Sequence, residues 1–269
     1  MSGSQILRVA VAGGDIVYDA ITTNAAPHRA ALLFLHGWTL DRRMWRRQLS
    51  AFAHDRAVLA PDRRGFGAST APADLTQEPE DVARLLDHHC IERAIVVGMS
   101  QAWRVAVEFA LRSPDRLAAL VLQGAGLGAV PPAESDDAIP LAHYTSLVRG
   151  GRIDEMKALW LAHPLMRAQD DDARALLQEM LAGYDGRDLL SDAPALQDRV
   201  EAFASVSAPV LALTGANDTA HRRRSAHVLA AAFPLGEHAE VPAAGHLCNV
   251  CQAETYNHVL ATFLQSHGL

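Results

Sequence analysis

The chain has 269 residues, 49% of them hydrophobic and 20% charged, with a formal net charge of -7. That composition supports a substantial core and argues against disorder. With acidic balance and no basic stripe, nucleic-acid binding has no electrostatic footing.

No apolar run reaches the roughly 18 residues that a membrane span needs. Met1-Ser2-Gly3-Ser4-Gln5 lacks the basic and apolar parts of a signal peptide. The cysteines number 3, too few and too odd for a disulfide framework. Cys90 reads as a buried thiol. Cys248 and Cys251 form a Cys-x-x-Cys pair. A redox role needs a thioredoxin-like βαβ context and a zinc site needs a second pair, and neither is visible. The expectation is a reducing cytoplasm, no metal and no cofactor.

In chain order, Leu7 to Val11 and Ile16 to Tyr18 alternate around Gly13-Gly14-Asp15, which predicts an N-terminal hairpin. Ala31-Leu32-Leu33-Phe34-Leu35 is a continuous apolar strand, as a buried parallel sheet requires. Residues 42–53 space Met44, Trp45, Leu49 and Phe52 for one helix face. Ala57 to Ala60 is the next strand, closed by Pro61-Asp62 and a Gly-rich loop, Arg63-Arg64-Gly65-Phe66-Gly67-Ala68-Ser69. A helix over 78–89, a strand ending at Gly98, a helix over 103–112 and a strand over 117–122 follow. Strand alternating with helix predicts an α/β fold: a mostly parallel sheet with helices on both faces.

The rhythm changes after residue 130. Periodic apolar residues predict helices over 141–148, 153–163 and 171–181, with Tyr184 to Asp188 as a loop. Residues 131–200 are thus a helical cap inserted into a core made of 1–130 and 201–269. The insertion is too short and too interrupted to hold a core of its own. Strands resume at Val210 to Thr214, behind Pro209, and near His238 to Val241, and a helix over 252–266 closes the chain.

Ser100 sits on the corner between strand and helix in Gly98-Met99-Ser100-Gln101-Ala102. Such a corner strains the serine backbone and lifts its hydroxyl clear of the sheet, so small residues flank it at two before and two after. The plainer reading is a helix-capping serine. A serine nucleophile needs a base, and the base an orienting group. Ligands of open parallel sheets bind beyond the carboxyl ends of strands, where Asp218 and His246 both fall. Asp218 has a plainer reading as a helix cap and His246 as one of 13 histidines. Asp62 is a rival acid, more simply the start of a structural turn.

Acyl transfer also needs donors for the developing oxyanion. The backbone N–H of Gln101, just after the serine, is one, and that of Trp38, in the His36-Gly37-Trp38 loop, is the other. His36 reads as a brace for that loop. In the cap, Met156, Leu159, Trp160 and Met166 are candidates for an apolar pocket, against ordinary helix packing. Trp103 either packs in the core or reaches the site.

Taken together, His36-Gly37-Trp38, Asp62 to Ser69, Gly98 to Ala102, Gly215 to Asp218 and Gly245-His246 resemble the α/β-hydrolase superfamily, whose triad runs in the chain order Ser, Asp, His. The resemblance covers almost the whole chain. It is strongest to the small-cap bacterial branch of esterases, 3-oxoadipate enol-lactonases and cofactor-free haloperoxidases. Ala102-Trp103 stands where those relatives usually have Gly-Gly. The resemblance implies an α/β-hydrolase fold and a serine hydrolase with Ser100, Asp218 and His246 as triad, acting on a small ester or lactone. The alternatives are hydrolysis of a C–C bond in a β-diketone, cofactor-free dioxygenation, and a non-catalytic binder on the same scaffold. Gln123-Gly124-Ala125-Gly126 lacks the carboxylate that the dioxygenases place there. The expected partner is a small-molecule substrate, with no nucleic acid and no membrane, and self-association is left open.

Overall fold

A computed structural model describes residues 5–22, 29–131 and 138–269. The strands are β1 (Gln5–Val11), β2 (Gly14–Ile21), β3 (Ala31–Leu35), β4 (Val58–Pro61), β5 (Ala94–Met99), β6 (Leu117–Gln123), β7 (Val210–Gly215) and β8 (Gly236–Val241). The helices are α1 (Arg46–Phe52), α2 (Glu78–His88), α3 (Trp103–Arg112), α4 (Leu141–Arg149), α5 (Ile153–Leu161), α6 (Asp171–Gly183), α7 (Ala220–Ala232), α8 (Cys248–Cys251) and α9 (Ala253–Ser266).

The strands form one 8-stranded sheet in the order β1-β2-β4-β3-β5-β6-β7-β8. β2 is antiparallel to both of its neighbours. From β4 to β8 every pairing is parallel. β3, β5, β6 and β7 are buried along their whole length, as their unbroken apolar runs predict. Side chains of a strand alternate between faces, and here they feed two cores. Leu32, Phe34, Ile95, Val97, Leu211 and Leu213 belong to one. Leu33, Leu35, Val96, Leu120, Leu122 and Ala212 belong to the other. The first core also takes in Leu49 of α1, Leu260 of α9, Tyr144 of α4, Trp160 of α5 and Leu177 of α6. The second takes in Leu85 of α2, Phe109 of α3 and Leu229 of α7. Helices α4, α5 and α6, between β6 and β7, therefore share a core with one face of the sheet.

The local chemistry explains most boundaries. The hairpin turn narrows to Ala12-Gly13, because Val11 pairs with Gly14 and Asp15 joins β2. The helix expected over 42–53 begins as a 3-10 turn, Arg42–Trp45, capped by the Asp41 carboxylate on the Arg43 N–H. Asp170 caps α6 by accepting from the Ala173 N–H at 2.7 Å. No strand occurs among the described residues between β6 and β7. No helix among the described residues is long and apolar enough to cross a membrane. The first four residues, on which the reading of the N-terminus chiefly rests, lie outside the described residues.

The Gly-rich loop after β4 is tied down by two buried two-pronged ion pairs. Arg63 donates to both oxygens of Glu78 at 2.7 and 3.0 Å. Arg64 donates to both of Asp81, each at 2.6 Å. Cys90 is a correction: it is exposed, in the turn after α2, with φ 52°.

Candidate active site

Ser100 stands between β5 and a single 3-10 turn, Ser100–Ala102, that leads into α3. Its φ is 52°, a strained value for any residue with a Cβ. Gly98 is required by close approach: a Cβ there would lie 2.6 Å from the Ala102 carbonyl oxygen and 2.8 Å from Ala106 Cβ. Ala102 is fully buried, so a methyl group still fits at that corner.

Beyond β7, Asp218 accepts the Thr219 N–H on Oδ1 at 2.7 Å. Its Oδ2 accepts from His246 Nδ1 at 2.9 Å. A carboxylate only accepts, so Nδ1 carries the imidazole proton and Nε2 is left with a lone pair. The His246 loop reaches this place because Gly124, at the end of β6, has φ 58° and no side chain. A Cβ on Gly124 would lie 2.7 Å from His246 Cε1. Behind the loop is a fully buried amide network: Gln123 donates to Asn249 Oδ1 at 2.8 Å, and Gln48 donates to the Asn249 carbonyl oxygen at 3.1 Å.

Ser100 and His246 line one cavity of about 490 Å³, together with Gly37, Trp38 and Gln101. Its apolar wall includes Leu40, Met99, Trp160, Met166 and Leu247. Arg104, paired with Asp198 at 2.7 Å, and Arg222 also line it. The 36–38 loop lies against the serine: a Cβ on Gly37 would be 3.4 Å from Ser100 Cβ. His36, fully buried, holds that loop. Its Nε2 accepts the Arg63 N–H at 2.9 Å, so Nδ1 is the protonated nitrogen and donates to the Gly37 carbonyl oxygen at 2.8 Å. Burial, helped by the Arg63 charge, pushes its pKa down to about 3. Arg63 also donates to the Gln101 side-chain oxygen at 3.1 Å.

The other candidates divide between the cavity and the cores. Trp160 lines the cavity and donates to Thr39 Oγ1 at 2.8 Å. Met166 lines it too, whereas Met156 is fully buried packing and Leu159 is 42% exposed. Trp103 does not line the cavity. It is fully buried in the core on the α2, α3 and α7 side, edge-on to Phe203, with the Arg104 guanidinium 4.9 Å from its ring centroid. Helical spacing explains the split: Gln101 and Arg104, three apart, face the cavity, and Trp103 turns to the opposite face. Asp62 accepts from the backbone N–H groups of Arg42 and Ala68 at 2.9 and 2.8 Å, which is the turn-building role. Cys248 and Cys251 are buried and unbonded to each other, and burial raises both thiols.

One residue escaped the sequence reading. Asp188, in the 3-10 turn Arg187–Leu190 after α6, accepts from Trp38 Nε1 at 2.7 Å and from the Tyr184 hydroxyl at 2.6 Å. Burial raises its carboxyl above the usual range. An acidic residue inside a polar loop carries no local signal of such burial.

Residues 30–250 match the profile of the family described as alpha/beta hydrolase fold, and the chain belongs to that family. It is 24% identical over 259 residues to 3-oxoadipate enol-lactonase 2 of Acinetobacter baylyi, covering 93% of this chain and 94% of that one. A thermophilic esterase from Thermogutta terrifontis has the same fold, with a TM-score of 0.80 at 22% identity over 98% of this chain and 99% of that one. The enol-lactonase of Burkholderia xenovorans LB400 also has a TM-score of 0.80, at 22% identity over 96% of this chain and 100% of that one.

Proposed function

We propose that the protein is a serine hydrolase that cleaves a small carboxylic ester or lactone through an acyl-enzyme. Ser100 Oγ attacks the carbonyl carbon while His246 Nε2 takes its proton. Asp218 holds the imidazole in the required tautomer and steadies the imidazolium. The backbone N–H groups of Trp38 and Gln101 receive the oxyanion. His246 returns the proton to the departing alkoxide. Water, deprotonated by His246, then attacks the acyl carbon, releasing the acid and restoring Ser100.

The observation that carries this reading is the 2.9 Å bond from His246 Nδ1 to Asp218, on a histidine that shares its cavity with a serine at φ 52°. A cavity of about 490 Å³ suits a small molecule. Its substrate is the only partner the reading requires.

A fluorophosphonate should label the wild type once, at Ser100, and Ser100→Ala should take no label. Rates on p-nitrophenyl acetate, a lactone panel and a β-diketone then separate ester, lactone and C–C cleavage. Absence of labelling in folded wild type would overturn the nucleophile assignment.

A further inference from the structure

β8 is the outer strand of the sheet, and α7 packs beside it. Alternation places His238 and Glu240 on one face of β8. His227 of α7 meets them there. One donor atom from each of the three residues lies within 4.8 Å of the others. The two imidazole centroids are 3.9 Å apart. His238 Nε2 is buried and makes no hydrogen bond, so a lone pair or a proton is kept from water without compensation. Arg224, one turn before His227, is turned away to the Pro131 carbonyl oxygen at 2.8 Å.

We propose that His227, His238 and Glu240 form a binding site for a late first-row divalent cation, best matched by zinc. Two imidazole nitrogens and a carboxylate suit zinc, copper and nickel, whereas magnesium and calcium favour oxygen ligands throughout. Ligands at about 2.0–2.1 Å from a tetrahedral zinc stand about 3.3 Å apart. His227 and Glu240 are exposed, so both can rotate to close the remaining gap. Three protein ligands leave the fourth position to water. The ion would clamp α7, which begins just after Asp218, to β8, which leads into the His246 loop. This site is separate from the proposed hydrolytic centre and does not depend on it.

The test uses untagged, chelator-treated full-length protein, with zinc chloride followed by titration calorimetry and thermal unfolding. Zinc should bind with one-to-one stoichiometry and raise Tm, and magnesium chloride should do neither. The His227→Ala, Glu240→Gln double variant loses only exposed side chains and keeps the fold. It should bind zinc at least about tenfold more weakly, since even outer-shell changes cost that much, and show no rise in Tm. No zinc binding by the wild type, or equal binding by the double variant, overturns the proposal.

Discussion

The indole N–H of Trp38 points to the half-buried carboxylate of Asp188, 2.7 Å away, in the segment between β6 and β7. Tyr184 donates to the other oxygen of the same carboxylate at 2.6 Å. Trp38 packs in turn on Tyr144 and Trp160. The loop that supplies one proposed oxyanion donor is therefore positioned from the helical segment between β6 and β7. Asp188→Ala leaves the Trp38 indole N–H and the Tyr184 hydroxyl without their shared acceptor. Its expected effect is a loss of about 1–3 kcal/mol in stability and a fall in kcat larger than any rise in KM. Urea unfolding and steady-state kinetics check both.

Ser100 holds its φ of 52° at a price in backbone energy. Ser100→Gly should raise stability by about 1 kcal/mol or more, because glycine adopts that region freely. The same change should abolish hydrolysis. Denaturant midpoints for wild type, Ser100→Gly and Ser100→Ala provide the comparison. An alanine variant as stable as the glycine one would refute the strain.

Asp218→Asn leaves a side chain of equal size but favours the wrong tautomer of His246. If the proposed mechanism holds, kcat falls about 10⁴-fold with the fold intact, by analogy with serine proteases. Circular dichroism and p-nitrophenyl acetate turnover measure the two halves of that expectation.

His36 makes the fold acid-sensitive in a defined window. Its folded pKa is near 3, against about 6.5 in the unfolded chain. Between those values the unfolded state binds the extra proton, so stability rises with pH there. The stabilisation is complete above about pH 6.5 and is lost as pH falls toward 3. His36→Gln should lower stability at neutral pH and flatten that part of the profile. Unfolding free energies measured from pH 4 to 8 would show the change in slope.

Much of this protein is written locally. Unbroken apolar runs mark β3, β5, β6 and β7, because strands buried on both faces need nothing else. Glycine and small residues around Ser100 mark the corner, because sterics at Gly98 leave no room for a side chain. The positions of Asp218 and His246 follow from the strand ends they succeed. Trp103 is ambiguous from sequence for a physical reason: one residue along a helix turns a side chain by about 100°, so neighbours of Ser100 face either the cavity or the opposite core. The fold put it with Phe203.

The sequence by itself determined the alternation of strand and helix, the strained serine corner and the order of the polar residues beyond the sheet. These depend on neighbours a few residues apart. Only the tertiary structure decided that Asp188 would grip Trp38, that Gln123 would brace the His246 loop through Asn249, and that His227 would meet His238 and Glu240. Each of these joins segments distant in the chain. Their donors and acceptors find one another only after the two cores have packed, and no local pattern of residues encodes that meeting.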